Sequence, residues 1–103
     1  MSKRPRFDRE AEEELLAAAS WYDSQRPGLG VELLEAIDDA VARVAEAPTA
    51  FTPDENAPAQ LGVRRCSLRR FPYSVVFVEL ADEIRIVALA HKRRRPDFWR
   101  GRL

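Results

Sequence analysis

Apolar and polar positions repeat with two different periods along this chain, and the change of period divides it. From Ala11 onward, Leu15, Ala18, Ala19 and Tyr22 recur at three- and four-residue spacing, which predicts an amphipathic helix over residues 9–25. Asp8 stands where an N-cap belongs, and Glu10 and Glu12 suit the positive end of the helix dipole. Pro27-Gly28-Leu29-Gly30 ends this helix and turns the chain. A second helix carries Leu33, Leu34, Ile37, Val41 and Val44 on one stripe, with Glu32, Glu35, Asp39 and Glu46 elsewhere, until Pro48 stops it. So short a link predicts an antiparallel helical hairpin, apolar on one side.

Residues 3–7 read as a short first strand, with Pro5 marking a sheet edge. Residues 48–61 hold Pro48, Pro53 and Pro58 and little that is apolar, so a loop is expected. Beyond it the period falls to two. Residues 62–69, 72–80 and 84–91 are predicted strands, the last two joined by a tight turn at Ala81-Asp82-Glu83. Alternation points Tyr73, Val75 and Phe77 one way and Val76, Val78 and Leu80 the other. In the last strand Ile84, Ile86, Ala88 and Ala90 oppose Arg85, Val87, Leu89 and His91. Both sheet faces are therefore substantially apolar, and one helical hairpin covers only one of them. The C-terminus, a second subunit or a partner must cover the other, and a partner is the expectation. The order β-α-α-β-β-β describes a two-layer α+β fold, a helical hairpin on a mainly antiparallel sheet, and residues 1–103 are expected to form a single domain.

A chain of 103 residues buries about 65% of its unfolded surface and needs no staples to fold. Its lone cysteine, Cys66, has no internal partner and reads as a strand residue, not a nucleophile. With one histidine beside it, a structural zinc site lacks its ligands, and no metal or cofactor is expected. Met1-Ser2-Lys3-Arg4-Pro5-Arg6 has charge but no apolar run behind it, so no signal peptide is expected, no stretch suits a membrane span, and the cytoplasm is the expected location.

Charge changes the picture more. The formal net charge is zero, yet residues 1–58 carry 6 Lys and Arg against 13 Asp and Glu, a formal −7, and residues 59–103 carry 11 against 4, a formal +7. The basic half ends in His91-Lys92-Arg93-Arg94-Arg95-Pro96-Asp97-Phe98-Trp99-Arg100-Gly101-Arg102, where cations and aromatics interleave. Such a segment attracts a polyanion or an acidic protein segment.

Taken in order, Trp21-Tyr22, Pro27-Gly28-Leu29-Gly30, Ala47-Pro48, Val63-Arg64-Arg65, Phe71-Pro72-Tyr73 and His91 followed by Arg94, Pro96 and Trp99 resemble the RelE/ParE superfamily of type II toxin–antitoxin toxins. The resemblance spans residues 3–102, and its His-x-x-Arg-x-Pro run and Phe-Pro-Tyr strand look more ParE-like. It implies a small toxin neutralised by a cognate antitoxin whose acidic-amphipathic C-terminal segment wraps around it, in complexes that include higher-order assemblies. ParE-like members inhibit DNA gyrase. RelE-like members cleave mRNA in the ribosomal A site, and fold alone does not choose between them. A relic that only binds its antitoxin is a third reading.

A metal-free RNase needs a base for the 2′-hydroxyl, cations for the phosphorane and an acid for the leaving oxygen. Under the RelE-like reading His91 is the base, with Arg65 and Arg93 stabilising charge, since arginine does not titrate near neutrality. The other reading of His91 is structural: it caps the last strand. Here lysines number only two, Lys3 and Lys92, and the C-terminal aromatics are Phe98 and Trp99 where RelE-like nucleases carry a tyrosine. Under the ParE-like reading Arg64, Arg69, Arg70, Tyr73, Lys92, Arg94 and Trp99 contact target or antitoxin. A C-terminal Trp more commonly anchors a tail onto a sheet than stacks on bases, and Trp21 and Tyr22 are expected to pack the helical hairpin.

Overall fold

A computed structural model describes residues 3–103; the signal-peptide expectation lies partly outside them, at Met1 and Ser2. Strand β1 (Arg4–Phe7) leads into α1 (Arg9–Gln25) and α2 (Leu29–Glu46), followed by β2 (Thr52–Pro53), β3 (Val63–Ser67), β4 (Tyr73–Glu79) and β5 (Glu83–His91). The sheet order is β1-β5-β4-β3-β2. β1 runs parallel to β5 and every other pair is antiparallel, so Pro5 lies on an edge strand as its missing N–H requires. The two-residue β2 falls in the stretch read as loop. Two ladder positions against Arg64 and Arg65 are too short a pattern for sequence periodicity to register.

The helices pack on one face of the sheet. Ala11 and Ala18 of α1 and Leu33, Ile37, Ala40, Val41 and Val44 of α2 meet Cys66, Val75, Phe77, Ile84, Ile86 and Leu89. Small residues on α1 let the helices approach. Gly28, at φ +90°, supplies the left-handed turn between them. Gly30 sits so close to α1 that a Cβ there would strike the Ala19 carbonyl oxygen and the Asp23 carboxylate, which instead accepts the Gly30 N–H at 2.8 Å. Burial pushes the Cys66 thiol up from its ordinary value, with the Arg43 charge opposing, which suits a packing residue.

The second apolar face is covered by the chain itself, contrary to the expectation of a partner. Trp99 is 0% exposed and packs with Val63, Val76, Val87, Ala88 and Ala90, with Phe98 at the margin. The tail reaches that face through the turns that follow β5, where the Arg94 N–H returns to the His91 carbonyl at 3.1 Å.

Strict alternation holds in β4 and fails in β5. Val76 pairs with Ala88 while Phe77 pairs with Ile86, so Val87 is the extra residue of a β-bulge. Leu89 thereby joins Ile84 and Ile86 on the helix face, and Ala88 and Ala90 move to the tail face. The bulge also carries His91 round to stand opposite Tyr73.

β1 pairs only with Glu83–Ile86, which leaves the next stretch of the β5 edge without a strand. An ion pair closes it. Glu14 of α1 accepts the Leu89 N–H at 3.1 Å, and Arg102 of the tail donates to the Val87 carbonyl at 3.1 Å. The two are bound to each other at 2.9 and 3.0 Å. Satisfying backbone groups at a half-buried edge avoids the penalty of an unpaired donor or acceptor.

Candidate interaction cleft

Much of the charge sorting resolves inside the molecule. Asp8–Arg85, Glu14–Arg94, Glu14–Arg102, Glu32–Arg70 and Asp54–Arg65 each join an acid of the first half to an arginine of the second. Asp8 stands at the N-cap position without a capping hydrogen bond, because its carboxylate accepts from Arg85 at 2.8 and 3.0 Å and from Arg6 at 3.2 Å. Burial alone would raise the Asp8 carboxyl; these two guanidiniums outweigh it and hold it below its ordinary value. The asymmetry read as a docking signal is thus in good part a tertiary pairing device.

The predicted contact residues divide accordingly. Arg94 bonds Glu14 at 3.1 Å and lies 3.6 Å over the Phe98 ring, so it clamps the tail. Trp99, fully buried, is the anchor of that tail and offers no surface. Arg64 donates to the Phe51 carbonyl at 2.6 Å and holds the loop before β2. Arg65 donates to the Ser74 hydroxyl at 3.0 Å. Arg70 bonds Glu32 at 2.8 Å, which with Arg26 holds that carboxyl below its ordinary value, and Arg69 borders the same cleft beside α2.

Tyr73, His91, Lys92 and Arg93 do come together. With Trp21 and Tyr22 of α1 and Pro72 before β4 they line a cleft of about 560 Å³. The His91 ring stands edge-on to Tyr73 at 4.9 Å, and Tyr22 lies edge-on to both Phe71 and Tyr73. The Lys92 N–H donates to the Pro72 carbonyl at 2.9 Å, and the Arg93 N–H donates to His91 Nδ1 at 3.0 Å. A neutral His91 with Nδ1 accepting carries its proton on Nε2, so its remaining nitrogen is a donor. Burial, with Tyr22 beside it, pushes the Tyr73 phenol up from its ordinary value. Arg65 is not part of this group. It lies opposite Val76 and bonds Ser74, on the tail face of the sheet, whereas His91 lies with Tyr73 on the helix face.

Trp21 and Tyr22 were expected to pack the helical hairpin. Tyr22 does, but Trp21 is 58% exposed and forms one wall of the cleft. The signal was legible: Trp21 stands beside the apolar stripe that runs through Ala18 and Tyr22, not on it. Among the described residues no three His, Cys, Asp or Glu side chains gather as a metal ion requires, and no helix is long and apolar enough to cross a membrane.

A family model described as the ParE toxin of the type II toxin–antitoxin system parDE matches residues 6–96. The chain belongs to the ParE toxin family. A solved chain of the chromosomal ParDE toxin–antitoxin system from P. aeruginosa is similar in fold, with a TM-score of 0.76 and 22% identity over 87% of this chain and 96% of that one. No curated protein matches. The matched stretch of this ParE-family chain contains both helices, β2 to β5 entire, the second half of β1 and the whole cleft, and it ends before Trp99.

Proposed function

We propose that this ParE-family toxin arrests growth in the cytoplasm by binding a protein target, DNA gyrase, and that a ParD-type antitoxin with an acidic, amphipathic C-terminal segment neutralises it. One observation carries the choice of binding over RNA cleavage. Strand cleavage needs a base and charge-stabilising cations around a single phosphate. Here the His91 nitrogen that accepts is taken by the Arg93 N–H, and Arg65 projects from the opposite sheet face. Tyr73, its phenol pushed up, offers no base near neutrality. What the cleft gathers is rings and cations, the composition of an interface anchor. The ParDE system named for the P. aeruginosa relative supports an antitoxin partner.

The test is supercoiling by purified gyrase with rising toxin. Inhibition that added antitoxin reverses is the expected result. Ribosome-dependent mRNA cleavage that disappears in His91→Ala, with supercoiling untouched, would replace this reading with the nuclease.

A further inference from the structure

We propose that the cleft between Trp21 and Arg93 is where the free toxin grips its protein target, and that it takes a short acidic segment carrying one aromatic or aliphatic side chain. The inference rests on the reading of this chain as a toxin that acts by binding, and it names the partner chemistry.

The lining states the sign of the ligand. No residue of this cleft is acidic, whereas the cleft beside α2 holds Glu32, Glu35 and Asp39 and the one beside β2 holds Asp54 and Glu55. Its polar groups are mainly donors: the Lys92 ammonium, the Arg93 guanidinium, the Trp21 indole N–H and the remaining His91 nitrogen. Among the described residues neither Lys92 nor Arg93 has an ion-pair partner, although their neighbours Arg94 and Arg95 are paired to Glu14 and Asp97. Two cations left unpaired beside two that are satisfied mark where an outside carboxylate is accommodated.

The rings state the rest. Trp21 is a large aromatic held 58% exposed, set edge-on to Tyr22 at 5.0 Å, and its burial in the free chain is too small to explain its presence by packing. Tryptophan and arginine are the residues that most often carry binding energy when a partner desolvates them. A cleft of this volume admits one or two side chains and not a whole helix. It is also already built. Backbone bonds from Lys92 and Arg93 and the Tyr73–His91 contact fix, without any partner, the backbone from which the two cations extend. Preorganisation in the isolated chain is what a toxin needs at the moment it acts, when no antitoxin is bound.

The experiment compares Trp21→Ala and the double variant Lys92→Glu/Arg93→Glu with the parent chain, each induced without antitoxin and each purified. Both variants are expected to lose growth arrest and to need at least about tenfold more protein to inhibit gyrase, while melting within about 8 °C of the parent and still co-purifying with the antitoxin. Arrest at the parent's level in both variants overturns the proposal. If the parent arrests growth without inhibiting gyrase and the variants do not arrest, the gyrase reading fails and the cleft stands with another protein target. Variants that lose the antitoxin but still arrest growth would give the cleft to the antitoxin. A single-stranded oligonucleotide that quenches tryptophan fluorescence in the parent but not in Lys92→Glu/Arg93→Glu would give it to nucleic acid. Either of those two results overturns the proposal.

Discussion

The two tryptophans of this chain are expected to respond to truncation in opposite ways. Trp99 is 0% exposed and is the largest side chain packed over Val63, Val76, Val87 and Ala90, with Phe98 only at the margin. Burying an indole of about 200–250 Å² at about 25 cal/mol per Å² stabilises by roughly 5–6 kcal/mol. A compact unfolded chain already hides part of that area, and alanine retains its own Cβ, so the transfer loss is smaller. The cavity left behind restores part of the cost, which gives about 3–5 kcal/mol for Trp99→Ala. Domains of this size hold about 5–15 kcal/mol in total, so the variant sits near the edge of folding, with a melting point lower by roughly 15–30 °C. Trp21→Ala, by contrast, removes a ring that is 58% exposed and is expected to cost no more than about 0.5–1 kcal/mol. Urea unfolding followed by circular dichroism measures both. In Trp21→Ala the only indole left is Trp99, so its emission should be blue-shifted when folded and shift red in the same transition. A loss below about 1 kcal/mol for Trp99→Ala, at unchanged denaturant slope, would refute the tail as the cover of the second sheet face.

Glu14→Gln leaves an acceptor for the Leu89 N–H but removes the charge facing Arg94 and Arg102; a loss of about 1.5–3 kcal/mol in urea unfolding is expected, and a value under about 0.5 would mean that the β5 edge is closed by something else. Asp8, with an ordinary carboxyl value of 3.8 and a lower one in the folded chain, contributes stability that is present above 3.8 and lost as pH falls through the folded value. Asp8→Asn should therefore be less stable near neutrality and should lose less on acidification from about pH 5 to pH 2 than the parent; parallel curves would remove Asp8 from the account. Gly30→Ala should cost about 1–3 kcal/mol by forcing α1 and α2 apart, and equal stability would show that the helices can yield there.

The elements were legible because each rests on a local rule. The helix over 9–25, the Pro27-Gly28-Leu29-Gly30 turn, the stop at Pro48 and the alternation in β4 all follow from periods and breakers that act within a few residues. So did the apolar character of both sheet faces. The bulge was not legible, because Val87 and its neighbours are all apolar and small enough to sit on either face, and only the ladder with β4 decides where the extra residue goes. That one residue set the candidate site: without it His91 would point to the tail face, away from Tyr73 and Trp21.

Charge followed the same division. Composition alone established an acidic first half and a basic second half, and with them that the halves attract. Which cations remain free is a question of distance in the folded chain. Arg94, Arg85 and Arg102 find Glu14 and Asp8 across more than seventy residues, while Lys92 and Arg93, next to Arg94 in the chain, find no acid among the described residues. Local sequence thus determined the helices, the four longer strands and the family resemblance, since those depend on neighbours along the chain. Tertiary structure alone decided that the tail, and not a partner, covers the second sheet face, and that four of the residues expected at a site share one cleft, because Coulomb and packing energies depend on separation in space.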